Sequence, residues 1–211
     1  MDLTIEFCTP EIKTEFDWQL CQDANVLVDG QLVAKAELEV ITLNKHRGAD
    51  KSYQLLDGQG ATDWEVPLNL FFKKQNLNNE LCEQFDITPD IKKAKQHVMI
   101  EAISVLPEFQ HKGIAHQLLN AIANQYEKAQ SITLFSMPLG SFIDAEECET
   151  EEDKNYYRVF NGVESASSVE HDKLSNFFES CGFSKIAIAE ELLVEPLQFD
   201  VMMATPSLLI S

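Results

Sequence analysis

Apolar and polar positions divide the chain into strands first and helices later. Leu3 to Phe7 (LTIEF) alternates as a half-buried strand does. From Asn25 to Ile41 two β-prone runs flank Asp29-Gly30. Both positions of a tight hairpin turn need positive φ, which an Asp-Gly pair accepts readily, so this segment predicts a hairpin. Residues 44–95 are less regular, with a polar stretch at 44–50 and a Gly/Asp-rich piece at 57–60. A helix is expected from about Val66 to Phe85 on the spacing of Leu68, Leu70, Phe71, Leu77 and Leu81, ended by the stretch around Pro89. The whole region reads as an insertion lying over the main sheet. From His97 to Val105 the chain reads as a strand, stopped by Pro107. Gly113 to Tyr126 has helical periodicity through Ile114, Leu118, Leu119, Ile122 and Tyr126. A short strand is expected at 131–135, a helix at 167–180 closed by Gly182, and a last strand ending near Ala204. This order predicts one α/β (α+β) domain over 1–211 with a mixed sheet.

The composition is that of a chain able to bury a core: 211 residues, 45% of them apolar. No apolar run approaches the ~20 residues that cross a bilayer. The acidic start Met1-Asp2-Leu3-Thr4-Ile5-Glu6 is unlike a secretory leader. The formal net charge is -19, and arginine occurs only at positions 47 and 158. That balance argues against nucleic acid and anionic membranes as partners, since both need clustered cations. It leans towards a cationic partner. The run from Asp144 to Asp153 reads as a solvated loop or helix start. The five cysteines are scattered without a Cys-x-x-Cys pair, so no metal site or disulfide framework is expected and a cytoplasmic location is.

The candidate chemistry lies at the strand-to-helix junction, Val105-Leu106-Pro107-Glu108-Phe109-Gln110-His111-Lys112-Gly113-Ile114-Ala115. The first amides of a helix have no partner inside it, and with the helix dipole they form an anion site. Gly113 removes a Cβ that would keep a phosphate off the backbone, and Lys112 adds a positive charge. Neither the Walker loop nor the dinucleotide fingerprint is present.

This segment resembles the acetyl-CoA signature of the GCN5-related N-acetyltransferase (GNAT) superfamily, Val-x-Pro-x-x-Gln/Arg-x-x-Gly-x-Gly/Ala, which Val105, Pro107, Gln110, Gly113 and Ala115 fill. A second hallmark, an aromatic pair before Gly-Phe, is met by Phe177, Phe178, Gly182 and Phe183. The resemblance covers about 97–204. It implies a mostly antiparallel sheet of about six or seven strands flanked by helices, with 97–204 as the acetyl-CoA-binding core and 44–95 on the acceptor side. It further implies that Gln110, His111, Lys112, Gly113, Ile114 and Ala115 wrap the pyrophosphate of coenzyme A. A backbone N–H near Val105 or Leu106 would polarise the thioester carbonyl. The acceptor would be a primary amine on a small molecule or a protein, with dimerisation left open. An ammonium has no lone pair, so a base is needed, and Glu101 and His97, four residues apart on one strand, are its candidates. Two positions depart from the family pattern. Phe178, expected to line the cofactor arm, stands where many relatives carry a tyrosine that protonates the leaving thiolate, and His171, whose alternatives are a contact to pantetheine, the missing acid or a helix cap, stands where an asparagine is common. For the missing acid, His171, Cys181, Ser175, Ser136 and water are the alternatives. Phe178 also supports another reading, a GNAT-fold protein that binds acyl-CoA with weak or no catalysis.

Overall fold

The computed structural model describes residues 2–12, 14–58, 64–90, 92–139, 144–148, 150–160, 168–189, 197 and 199–210, without the side chains of 168–171. In chain order the strands are β1 (Leu3–Phe7), β2 (Gln19–Val28), β3 (Gln31–Leu43), β4 (Phe72–Lys73), β5 (Asn76–Leu77), β6 (Lys95–Val105), β7 (Ser131–Ser136), β8 (Ser184–Lys185) and β9 (Asp200–Ala204). The helices are α1 (Ala49–Asp57), α2 (Asn79–Gln84), α3 (Ile114–Gln125), α4 (Glu151–Tyr157), α5 (Ser168–Ser180) and α6 (Pro206–Leu209). Among the described residues the main sheet has seven strands in the order β1-β2-β3-β6-β7-β9-β8, and β4-β5 form a separate hairpin. Among the described residues only β6 and β7 pair in parallel, and α3 connects them. Asp29 and Gly30 both have positive φ in the β2–β3 turn, as the sequence predicts. Among the described residues no helix is long and apolar enough to cross a membrane.

Alternation along the central strands sorts side chains into two cores. In β9, Met202 and Ala204 join the cluster beneath α3, while Val201 and Met203 join the one on the opposite face. In β6, Val98 and Ile100 face the first cluster and Met99 the second. Burial on both faces explains the unbroken apolar run Val98-Met99-Ile100 in β6. The second face is covered by α1, Trp64 and the 67–84 segment.

Residues 66–85 do not form one helix. A π-helical turn (Pro67–Phe71) leads into the β4–β5 hairpin, and α2 begins only after Asn78. The expected apolar residues are still inward, since Leu68, Phe71, Leu77 and Leu81 are all buried. Polar Lys74 and Gln75 make the turn between β4 and β5, with Lys74 at positive φ, and the Asn78 side chain caps α2 by accepting from the Leu81 N–H.

His97 fastens this cover to the sheet. Its ring is fully buried, with Nδ1 at 2.9 Å from Ser131 Oγ and Nε2 at 3.2 Å from the Gln75 carbonyl, beside Phe72. Burial pushes its pKa down to about 4, with the Gln75 carbonyl opposing only part of that.

The C-terminus of α5 explains the Phe-Phe-x-x-x-Gly-Phe spacing. Phe183 N–H donates to the Phe178 carbonyl (3.1 Å) and Gly182 N–H to the Glu179 carbonyl (3.0 Å). This is a Schellman cap, completed by Phe183 packing on Phe178 at 5.8 Å between ring centres. Gly182 has φ +103, and a Cβ there would stand 2.6 Å from the Leu208 carbonyl oxygen.

Two outcomes follow. Gly182→Ala is expected to destabilise the protein by at least ~1–3 kcal/mol, read as a lower urea midpoint; an unshifted midpoint would refute the role given to this glycine. For His97 the unfolded ring titrates near ~6.5 and the folded one near 4. The unfolded state therefore binds more protons between those values. Stability should fall as pH drops from ~6.5 towards 4, by an amount on the order of 3 kcal/mol. Urea titrations of His97→Gln across that range should show a correspondingly smaller acid loss, and a slope equal to the parent's would count against it.

Candidate functional site

The parallel pairing of β6 with β7 runs from His97–Ser131 to Ile100–Leu134 and stops there. Each strand continues with its outer neighbour: β6 stays paired to β3 as far as Val105, and β7 stays paired to β9 through Ser136. The two inner edges therefore separate while the sheet remains intact on both sides. Glu101 sits where this begins. Ile100 pairs with Leu38 and Ala102 with Glu37, so Glu101 is the extra residue of a β-bulge.

A cavity of about 600 Å³ fills the opening, within the ~300–1,000 Å³ common for small-molecule sites. Its walls come from Ile100–Val105 of β6, from Leu134, Phe135, Met137, Pro138 and Leu139, and from Lys173, Leu174, Phe177 and Phe178 of α5. The amino end of α3 closes one end with Gln110, His111 and Gly113–His116.

That end is built for an anion. Pro107–Phe109 form a 3-10 turn after β6, and His111 (φ +59) and Gly113 (φ +77) are both left-handed. Gly113 caps α3 without a side-chain bond, and the first backbone bond of the helix runs from Gln117 N–H to the Gly113 carbonyl. The amides of Ile114, Ala115 and His116 thus have no acceptor within the helix. Among the described residues nothing lies within 4 Å of where a Gly113 Cβ would point. Gln110 donates from Nε2 to the Val105 carbonyl at 3.1 Å and ties the loop to the end of the strand.

Of the predicted residues, the cavity brings together Glu101, Val105, Gln110, His111, Gly113, Ile114, Ala115 and Phe178. Three others stand elsewhere. His97 is buried beneath the hairpin, with both ring nitrogens engaged. The bulge that turns Glu101 into the cavity wall is absent at His97, so sharing a strand does not make them share a site. Leu106 is buried behind the junction, and its N–H donates to the Val33 carbonyl at 2.9 Å. By the alternation of an antiparallel ladder, the N–H of Val105 faces away from β3, towards the gap. Lys112 holds its ammonium over the Phe109 ring at 4.8 Å, outside the cavity lining. The side chain of His171 lies outside the described residues.

Among the alternatives for a thiolate acid, Cys181, Ser175 and Ser136 are buried and do not line the cavity. Ser136 and Ser175 are 2.8 Å apart, and Ser175 donates to Asp200. Phe178 is packed in the core, 4% exposed, with one edge on the cavity. His116 and Lys173 also line the cavity and are absent from the sequence reading. Helical spacing could have found Lys173, one turn before Phe177 on the same face of α5.

One flank is set by a charged joint. Lys35, with 6% side-chain exposure, has its ammonium 2.7 Å from Asp153, 3.1 Å from Asp23 and 3.2 Å from Glu37. Burial alone would lower its pKa, but the Asp153 bond with Glu37 and Asp23 raises it above the usual lysine range. Tyr157 donates to Glu37 (2.8 Å) and Tyr156 lies 2.9 Å from Ser104 Oγ, which fastens α4 to β3 and β6. Burial pushes the Tyr156 phenol up to about 12. Of the acidic run, Ala145–Glu147 form a 3-10 turn and Glu151, Glu152 and Asp153 the first turn of α4, capped by Thr150.

No curated protein sequence matches the chain significantly. Among solved structures it is similar to a bacterial toxin, at 10% identity over 89% of this chain and 68% of the other, with TM-score 0.42. It is similar to arylalkylamine N-acetyltransferase 2 from Aedes aegypti, at 16% identity over 87% and 73%, with TM-score 0.39. It is also similar to a polyamine N-acetyltransferase from Drosophila melanogaster, at 10% identity over 86% and 71%, with TM-score 0.41. Residues 71–138 match the model of the acetyltransferase (GNAT) family. That stretch begins in the cover, ends just past β7, and takes in the strand, turn and helix that build the cavity, so the likeness to the family lies in the part of the chain that holds the candidate site.

Proposed function

We propose that the chain is an N-acetyltransferase that passes the acetyl group of acetyl-CoA directly to a primary amine. The observation that carries this reading is the continuity of one cavity from the amino end of α3 to Glu101. The cofactor end fits a diphosphate, since three helix amides lack intrahelical acceptors and the space a Cβ would take at Gly113 is open. Gln110, His111, Gly113, Ile114 and Ala115 would hold the phosphates, with Val105 and Phe178 along the arm. When bound, acetyl-CoA supplies an acyl carbon activated as a thioester.

The chain's own residues have three tasks. Glu101, on the cavity wall, takes a proton from the acceptor, because an amine with a pKa near ~10.4 is almost wholly ammonium at neutral pH. The Val105 N–H, turned towards the gap, donates to the oxygen on which charge develops. The apolar walls exclude water, which strengthens both interactions. His97 is dropped as a base, since it lies outside the lining.

Phe178 has no proton to give a leaving thiolate, and that favours a second reading, a coenzyme-binding protein with little turnover. Calorimetric titration with coenzyme A, run beside thiol release from acetyl-CoA over an amine panel, separates the two. Binding together with amine-dependent release supports transfer, and binding alone supports the second reading.

Gly113→Asp puts a carboxylate where the phosphates would lie and should weaken coenzyme A binding at least ~100-fold. Its strain at positive φ should cost only ~1–2 kcal/mol of stability. Retained affinity in calorimetry would remove the loop from the cofactor site. Glu101→Gln should lower turnover at pH 7 by ~100-fold and recover part of it towards pH 9, as the amine loses its proton unaided. A pH–rate profile identical to the parent's would eliminate Glu101 as base.

A further inference from the structure

The flank that carries α4 packs as a small body of its own. Ala145, Tyr156 and Tyr157 are buried against Leu106 in a cluster separate from the two main cores. Ordering a segment of this length loses more chain entropy than so small a cluster returns, so its polar joints decide how firmly it sits. There are three among the described residues: Asp153 on Lys35 at 2.7 Å, Tyr157 on Glu37 at 2.8 Å and Tyr156 on Ser104 at 2.9 Å. The same segment reaches the cavity. Arg158–Phe160 continue α4 as a 3-10 turn, and Phe160, with its ring centre 5.8 Å from Tyr156 and 6.4 Å from Tyr157, is part of the cavity wall. Ser104, to which Tyr156 is tied, stands in that wall too.

Of the three joints, the one at Lys35 carries the sign of the interaction. Its nitrogen lies within 3.2 Å of carboxylate oxygens from Asp23, Glu37 and Asp153, and its side chain is not part of the cavity wall. Without that ammonium the three carboxylates would face one another in a partly buried space, and the contact that draws α4 onto β3 would push it away. Loss of a neutral hydrogen bond at Tyr156 would only loosen the same contact.

We propose that Lys35 is a positioning residue for the coenzyme: through Asp153 and the rings of Tyr156 and Tyr157 it sets Phe160 in the cavity wall, so that docking of α4 and binding of the coenzyme are coupled. This rests on the coenzyme A reading above. Such coupling is reciprocal. A coenzyme that binds better when the flank is docked also holds the flank docked.

The test uses the full chain, with coenzyme A affinity from calorimetry and amide hydrogen exchange over 150–160 as a second readout. Lys35→Met should weaken binding at least ~10-fold. Phe160→Ala should weaken it as well, and adding Lys35→Met to that variant should weaken it little further, because the lysine acts through the ring. Coenzyme A should slow exchange over 150–160 in the parent and much less in Lys35→Met. If Lys35→Met does not fold by circular dichroism, Asp153→Asn takes its place in the same cycle, with an expected loss of about threefold. Unchanged affinity in the joint variant, losses that multiply in the double variant, or exchange that coenzyme A leaves unaltered would each overturn the coupling and leave the cofactor site standing. A parent chain that binds no coenzyme A overturns the cofactor reading, and this inference with it.

Discussion

The site depends on how two neighbouring strands divide their hydrogen bonds. Opening a sheet in its middle strands backbone donors and acceptors on both inner edges, which is unfavourable unless each strand is held from outside. Here β6 keeps β3 and β7 keeps β9 beyond the point where their own pairing ends at Ile100 and Leu134. The Val105 carbonyl on one freed edge is taken by the Gln110 side chain. The freed edge thus becomes a wall of a cavity, and the same loop that satisfies it presents the helix amides at the far end. Fold and site are one arrangement of backbone partners.

The features that could be read from the residues are those dictated by local backbone conformation. Asp29-Gly30, Gly113 and Gly182 each answer a need for positive φ, and each sits where its neighbours predict. The period of two in β1 and the helical face of α3 are equally local, as is the Schellman spacing of Phe178, Gly182 and Phe183. What escaped the reading depends on tertiary partners. Nothing around Glu101 announces a bulge, because the bulge exists only in register with β3. His97 gives no sign that Gln75, 22 residues earlier, will close over it. In 66–85 the apolar spacing is right for a helix, but Pro67, the Lys74–Gln75 turn and the Asn78 cap break it into pieces that bury the same residues.

Overall charge and local charge are separate properties in this molecule. The acidic surplus is spread over exposed positions such as Glu146 and Glu151, and its buried portion is spent inside the fold. The cavity wall is mostly apolar, with Glu101, His111, His116 and Lys173 as its ionisable side chains among the described residues. Net charge governs solubility and long-range steering. The composition of a few square nanometres of wall governs what can be held there.

The Lys35 joint has a chemical consequence. Under the proposed transfer to amines, any lysine bearing weight in the structure is itself a potential acceptor. Lys35 fastens the α4 flank two strand positions from the bulge register, on the β3 strand that pairs with β6. Three carboxylates keep its nitrogen protonated, so it has no electron pair to offer, and burial keeps it from contact. The charge that holds the flank in place is also what makes that nitrogen inert towards self-modification.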